Sequence, residues 1–242
     1  MLPLFIVDDL PTSGEVEIRG DEAQHIATSL RTQVGERLLV TNGRGLRVEI
    51  ETIELSKKVV RGRIIATTQE EPRAIRLTVI QALTKSDRAR EAIELLTEGG
   101  VDRIIPWSAS RSIGQWKSDA REKWQIWARE ATKQSRRSWL PVIEECCDTS
   151  TIINLLQRSH DSSSIALVLD ESAPNSLSTQ LKDFGGGEVI AIIGPEGGIT
   201  EDELSRFEGA GAYRISIGKA VFRSAHAGIA ALAAIQTRLG LW

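Results

Sequence analysis

The hydrophobic pattern changes its period near residue 71. Before that point, from Val16 to Thr67, short β-like runs alternate with turn signals: Arg37–Thr41, the turn Asn42-Gly43-Arg44-Gly45, then Leu46–Ile53 and Val59–Ile65. Asn-Gly between two such runs predicts a hairpin, because both residues tolerate the positive φ that a tight turn between twisted strands requires. A short helix is expected over Asp21–Leu30. The combination predicts a small antiparallel barrel over residues 1–70, with Gln69-Glu70-Glu71-Pro72-Arg73 as the linker that ends it.

After the linker the rhythm becomes strand, helix, strand. Apolar runs at Leu77–Leu83, Val101–Pro106, Ile165–Leu169, Val189–Ile193 and Tyr213–Ile217 read as strands, and helices are expected over Arg88–Glu98 and Asp119–Ser138. Such alternation predicts a mainly parallel sheet with helices on its faces. The fold class is therefore α/β over residues 71–242, behind a smaller β domain. An alanine-rich helix ending at Leu239 is apolar nearly all round, so it should be buried against the sheet, a partner subunit, or both. Ser162–Ser164 and Gly185–Gly187 read as loops.

Two of the strand ends carry loops shaped for a ligand. Val189–Ile193 runs into Gly194-Pro195-Glu196-Gly197-Gly198, and Thr200 with Glu203 forms a T-x-x-E capping box that opens a helix. Glycines let the backbone approach a ligand closely. A phosphate cradle is disfavoured, because the helix opens with Glu201, Asp202 and Glu203 and no Gly-Lys-Ser/Thr follows the glycines. A neutral or cationic ligand such as S-adenosylmethionine suits the loop; a tight turn without a ligand also fits. The second loop, Gly218-Lys219-Ala220-Val221-Phe222-Arg223-Ser224, leads into the last helix. A guanidinium beside a helix N-terminus opposes the dipole, which leaves two readings of Arg223: an ion pair with a carboxylate such as Glu196, or a role in chemistry.

Composition narrows the class. The 242 residues are 41% hydrophobic and 26% charged, ordinary values for a globular chain. No run reaches transmembrane length, and Met1–Asp8 meets acid too early for a signal peptide, so the cytoplasm is expected and no membrane partner. Cys146 and Cys147 are adjacent, without C-x-x-C spacing, and should be reduced and structural; with His25, His160 and His226 scattered, no metal site is expected. A net charge of −3 argues against bulk nucleic-acid binding but leaves room for a local basic face. On the helix expected through Ser138, Arg129, Lys133, Arg136 and Arg137 fall at i, i+4, i+7 and i+8, with Glu130 as the nearby carboxylate. Together with Lys85, Arg88, Arg90 and Arg111 they form either a solvated surface or a stripe contacting phosphates.

The pair Ile193-Gly-Pro-Glu-Gly-Gly-Ile199 and Ile217-Gly-Lys-Ala-Val-Phe-Arg-Ser224 resembles the signature loops of the knotted SPOUT-class RNA methyltransferases and, more narrowly, of the RsmE family. That family methylates N3 of a decoding-region uridine in 16S rRNA of the small subunit. Agreement extends to His25 with Leu30-Arg31, to Thr97-Glu98-Gly99-Gly100-Val101 and to Ala131–Arg137. The resemblance implies a PUA-like RNA-binding barrel, an α/β domain with a C-terminal trefoil knot, a homodimer, and S-adenosylmethionine as cofactor. By motif match, Leu169, Gly194, Glu196, Gly198, Ile217, Gly218, Val221 and Phe222 would line the cofactor pocket and Arg223 would face the reacting base. RNA contacts would come from His25, Arg31, Lys85, Arg88, Arg129, Lys133, Arg136 and Arg137. Glu196, His226 or water would take the N3 proton. Where the family often reads G-x-R-V-L-R-T-E-T-A, this chain has Ala220, Ser224, Ala225 and His226. Rival readings are a methyltransferase with another RNA target and a catalytically silent RNA-binding or ribosome-assembly protein.

Overall fold

In the computed structural model residues 2–159 and 163–242 are described, so His160 and Ser162 lie outside the described residues. The chain divides into two units, residues 1–72 with 132–140, and residues 73–131 with 141–242. The first holds β1 (Leu4–Ile6), β2 (Glu15–Arg19), α1 (Gly20–Thr28), β3 (Arg37–Thr41), β4 (Leu46–Leu55) and β5 (Val59–Gln69). Its five-stranded sheet has the order β1-β3-β4-β5-β2 and is antiparallel except for the β1–β3 pair. The hairpin forms where Asn-Gly predicts it: Gly43 and Gly45 take φ of 70° and 92°. A β-carbon on Gly45 would stand 2.3 Å from the Glu70 carbonyl oxygen, so glycine is required there. Alternation along β4 turns Leu46, Val48 and Ile50 inward against Val16, Ile18, Ile26 and Val60. β1 was not among the expected strands; three apolar residues have no readable period, and only the parallel pairing with β3 defines them.

The second unit contains β6 (Ile75–Ala82), α2 (Ser86–Glu98), β7 (Arg103–Ser108), α3 (Ala120–Ser135, whose last residues belong to the first unit), β8 (Val142–Ile143), β9 (Cys147–Asp148), α4 (Thr149–Ser159), β10 (Ser164–Leu169), α5 (Leu177–Gln180), β11 (Gly187–Ile193), α6 (Glu201–Gly209), β12 (Tyr213–Ile215) and α7 (Ser224–Leu239). Every pairing in the sheet β12-β10-β11-β6-β7-β8 is parallel, and β9 also pairs with β7. Both faces are covered, which explains the continuous apolar runs. Leu77, Val79, Val189, Ala191 and Ile193 face α2, α3 and α7 through Ile93, Leu96, Trp124, Leu232 and Ile235. The intervening Ile80, Ile190 and Ile192 face α4 and α6 through Ile152, Leu156, Leu204 and Phe207.

The expected cationic face requires correction. α3 ends at Ser135 rather than Ser138, and Arg136 adopts a left-handed φ of 55°, so Arg136 and Arg137 leave the helical spacing that would align them with Arg129 and Lys133. Nor does Lys133 lack a carboxylate: its Nζ lies 3.0 Å from Glu22 Oε1, and both side chains are largely buried. Arg136 Nε donates to the Leu2 carbonyl at 2.9 Å. The remainder of this segment ties to the hairpin, through Gly45 N–H donating to Ser138 O at 3.0 Å and Leu140 N–H donating to Gly43 O at 2.9 Å. Residues 132–140 thus complete the first unit from a distance in sequence that periodicity does not register.

Cys146 and Cys147 are both free. Burial, together with the neighbouring Cys147, pushes the Cys146 thiol up to about 11, so thiolate is scarce at neutral pH. Alkylation of the native protein at pH 8 is expected to be slower at Cys146 than at a free cysteine; peptide mapping after a short iodoacetamide pulse reads this, and labelling at the free rate would refute it.

Candidate functional site

The site is built at the carboxyl ends of β10, β11 and β12, where open parallel sheets receive ligands. The first loop turns sharply after Ile193. Gly198 N–H donates to Pro195 O at 2.9 Å, and Gly198 has a φ of 74° that a side chain would strain. The capping box then fixes the start of α6: Thr200 Oγ1 accepts from Glu203 N–H at 3.2 Å, while Glu203 Oε2 accepts from Thr200 N–H at 3.1 Å and Thr200 Oγ1 at 2.8 Å. The other carboxylate oxygen accepts from Ser110 N–H and Oγ, each at 2.9 Å, and from Thr149 Oγ1 at 3.0 Å. Glu203 is only 1% exposed. Burial acts to raise its pKa, but hydrogen bonds from the Ser110 and Thr200 backbone outweigh that and hold it below the ordinary carboxylate value. One buried carboxylate therefore joins the glycine loop to the loop after β7 and to the start of α4.

The second loop runs from Ser216 to Arg223. Ser224 Oγ donates to the Gly194 carbonyl at 2.6 Å and accepts from the buried Gln81 Nε2 at 3.1 Å, so it ties the second loop to the first and both to β6. Serine at this position keeps a hydroxyl where the family pattern has threonine. His226 lies 3.0 Å from Glu91 Oε1 on α2 and does not line the pocket, whereas Glu196 does. Arg223 is exposed, and among the described residues its side chain has no hydrogen bond or ion pair; the alternative of a pair with Glu196 is not realised.

Between the loops lies a pocket of about 660 Å³ lined by Leu169, Gly194, Glu196, Gly198, Ile217, Gly218, Val221 and Phe222, together with Arg223. Sequence reasoning missed Asp170, Ser172 and Arg214 here, and read Arg111 only as part of a solvated or phosphate-contacting stripe. Arg111 Nη1 donates to the Gly197 carbonyl at 3.0 Å and braces the glycine loop. Asp170 pairs with Arg214, which also reaches Ser172 and Glu201. Burial would raise the pKa of Asp170, yet hydrogen bonds from the Ser172 backbone and from Arg214 hold it below its ordinary value. A charged residue directly after an apolar strand, and another inside β12, were the available signals. Four carboxylates (Asp170, Glu171, Glu196, Glu201) and four arginines (Arg88, Arg111, Arg214, Arg223) line the pocket. That balance suits a ligand carrying charges of both signs.

The residues expected at RNA are divided between the two units. Arg88 lines this pocket and Lys85 a neighbouring one. Arg129 lies on α3, and His25, Arg31, Lys133, Arg136 and Arg137 belong to the first unit, with Arg31 held at a φ of 53°.

Residues 70–236 match a family described as an RNA methyltransferase domain, and residues 18–65 match an RNA methyltransferase PUA domain. The ribosomal RNA small subunit methyltransferase E of Mycobacterium tuberculosis is 32% identical over 99% of this chain and 93% of its own length. Its namesake from Bacillus subtilis is 28% identical over 96% and 93%. Among solved structures, a probable rRNA-methyltransferase from Porphyromonas gingivalis superposes with a TM-score of 0.81 at 27% identity, covering 99% of both chains. The methyltransferase E of Neisseria gonorrhoeae, solved bound to S-adenosyl methionine, shares the fold with a TM-score of 0.87 at 24% identity, over 100% of this chain and 98% of its own. With its two loops, its parallel sheet and these matches along nearly its whole length, the chain belongs to the RsmE family of RNA methyltransferases.

Proposed function

We propose that this protein transfers a methyl group from S-adenosylmethionine to N3 of a decoding-region uridine in 16S rRNA, acting as a cytoplasmic homodimer. The observation that carries the reading is the pocket itself: every side chain or glycine expected at the cofactor lines it, with Arg223 unpaired at the same wall. The pocket suits the cofactor on chemical grounds, since it offers glycine backbone for close approach, carboxylates for cationic groups and apolar Leu169, Ile217 and Val221. S-adenosylmethionine supplies an electrophilic methyl on a sulfonium. The chain's own residues supply the rest. Arg223 stabilises negative charge on the uracil oxygens once N3 loses its proton, and Glu196 is better placed than His226 to receive that proton, because His226 is turned to Glu91. The names of the Mycobacterium tuberculosis and Bacillus subtilis relatives, ribosomal RNA small subunit methyltransferase E, support the rRNA target. Residues 1–70, completed by 132–140, serve as the RNA-binding domain, and the rest of 71–242 as the catalytic domain carrying the family's knot. Exposed Val221 and Phe222, at 73% and 45%, offer apolar surface to a second copy.

Mass spectrometry of small-subunit rRNA from cells with and without the gene tests the reading. Loss of a single 3-methyluridine is expected, restored by the wild-type gene. Unchanged rRNA, in a protein that still binds RNA, would support the silent RNA-binding reading that the Ala220, Ala225 and His226 departures suggest. Within the pocket, Gly198→Val forces a β-branched residue to a φ of 74°. Its affinity for S-adenosylmethionine is expected to fall at least about tenfold, the scale of the ~1–3 kcal/mol cost of such backbone strain. Calorimetry giving wild-type affinity for a folded variant would remove this loop from the cofactor site.

A further inference from the structure

The second unit carries another cavity, of about 720 Å³, that the reaction described above does not use. It adjoins the first. Thr84 and Lys85 after β6 line one pocket while Arg88, a turn later, lines the other; Arg111 borders the cofactor pocket while Ile113 borders this one. Gly114 permits the arrangement, because a β-carbon there would stand 2.2 Å from the Thr84 carbonyl oxygen.

The lining is aromatic and basic. Trp116, Trp124 and Trp127 provide indole surface, with Trp116 set edge-on to Trp124 at 5.2 Å between ring centroids. Trp124 is 4% exposed, and the indole N–H groups of all three tryptophans lack a hydrogen-bond partner among the described residues, unlike Trp107, whose N–H is taken by Thr149. Of the three lysines, Lys123 is tied to Asp119 at 2.7 Å and the exposed Lys117 acts on the same carboxylate through its charge, whereas Lys85 is exposed and has no side-chain partner among the described residues. Asp87 is the remaining carboxylate in the lining. The cavity thus combines flat aromatic surface, indole N–H donors and exposed lysines at its rim. Those features match one unstacked nucleotide: a base with carbonyl acceptors and a phosphate beside it.

We infer that this cavity is a subsite for a nucleotide flanking the methylated base, with Trp116 stacking on the base and Lys85 and Lys117 contacting its phosphate. The inference rests on the RNA methyltransferase reading. A base in the first pocket would carry its strand past Arg88 and Ile113 into the second, and holding two neighbouring nucleotides apart keeps the target out of its stack.

Small-subunit rRNA lacking the modification is the probe, with Trp116→Ala and Lys117→Glu compared against wild type by filter binding and methyl transfer. The Kd and KM for RNA are expected to rise about tenfold in Trp116→Ala, the scale of losing one stacked base, while calorimetric affinity for S-adenosylmethionine stays at the wild-type value. Lys117→Glu, at an exposed position that does not burden folding, should raise the Kd for RNA and shallow its dependence on salt. Wild-type RNA affinity and salt slope in Lys117→Glu, with normal KM in Trp116→Ala, would overturn the subsite. So would a shift in the monomer–dimer balance with RNA affinity unchanged, which would make the cavity a contact between copies. Failure of the wild-type protein itself to bind or methylate RNA would instead sink the underlying reading.

Discussion

Replacing Glu203 with alanine is expected to destabilise the protein by about 2–4 kcal/mol and to weaken S-adenosylmethionine binding in the same variant, although Glu203 does not line the pocket. The carboxylate accepts from Thr200, Ser110 and Thr149 at 2.8 to 3.1 Å in a site sealed from water. Alanine strands those donors, and a stranded buried donor costs more than the bond it made. Glutamine gives a sharper test. Its carbonyl oxygen can serve Ser110 and Thr149, but its amide then points N–H at the N–H of Thr200, so the capping box fails while the shape is kept. Urea denaturation should therefore rank wild type above Glu203→Gln above Glu203→Ala. The pH dependence has a definite sign. A carboxylate whose folded pKa lies below its unfolded value of about 4.3 contributes fully above that value, and its contribution is lost as pH falls through the folded pKa. Wild type should thus lose part of its advantage over Glu203→Gln on acidification below about pH 4. Equal stability of all three at pH 7 would show that the carboxylate does not hold the loop.

Legibility followed the range of the interactions involved. The parallel strands were readable because burial on both faces makes them apolar without interruption, as in Val189–Ile193. The T-x-x-E box was readable because both partners sit within one turn. Its other half was not: Ser110 and Thr149 reach Glu203 from the loop after β7 and from α4, and nothing in their own surroundings marks them as its donors. The same limit produced the error in α3. Helical spacing aligned Arg136 and Arg137 with Lys133, but the contact of residues 132–140 with the first unit stops the helix at Ser135 and occupies Lys133 with Glu22. A periodic pattern reports which face a helix would present, not where tertiary contacts end it. Arg111 shows a milder form: it was visible as a cation, while its use as a brace on the Gly197 carbonyl depends on a neighbour many residues away.

Arg223→Ala is expected to lower kcat for methyl transfer by about 10²–10³, the range found when a group stabilising developing negative charge is removed, with cofactor affinity within a few-fold of wild type. The position favours this split. Arg223 precedes α7 with no side-chain partner among the described residues, so its removal breaks no internal bond, and the hydroxyl that joins the two loops belongs to the next residue, Ser224. A cation left unpaired beside a helix N-terminus is unfavourable unless a ligand answers it, and a uracil losing its N3 proton supplies that answer only as the reaction proceeds. The effect should therefore fall on kcat more than on binding. Arg223→Lys restores charge without the planar fork and should recover part of the loss. Single-turnover assays with rRNA lacking the modification separate the outcomes. A selective fall in the chemical rate supports the assignment; a rate at the wild-type level would remove Arg223 from the mechanism, and an equal loss in cofactor affinity would make it a binding residue instead.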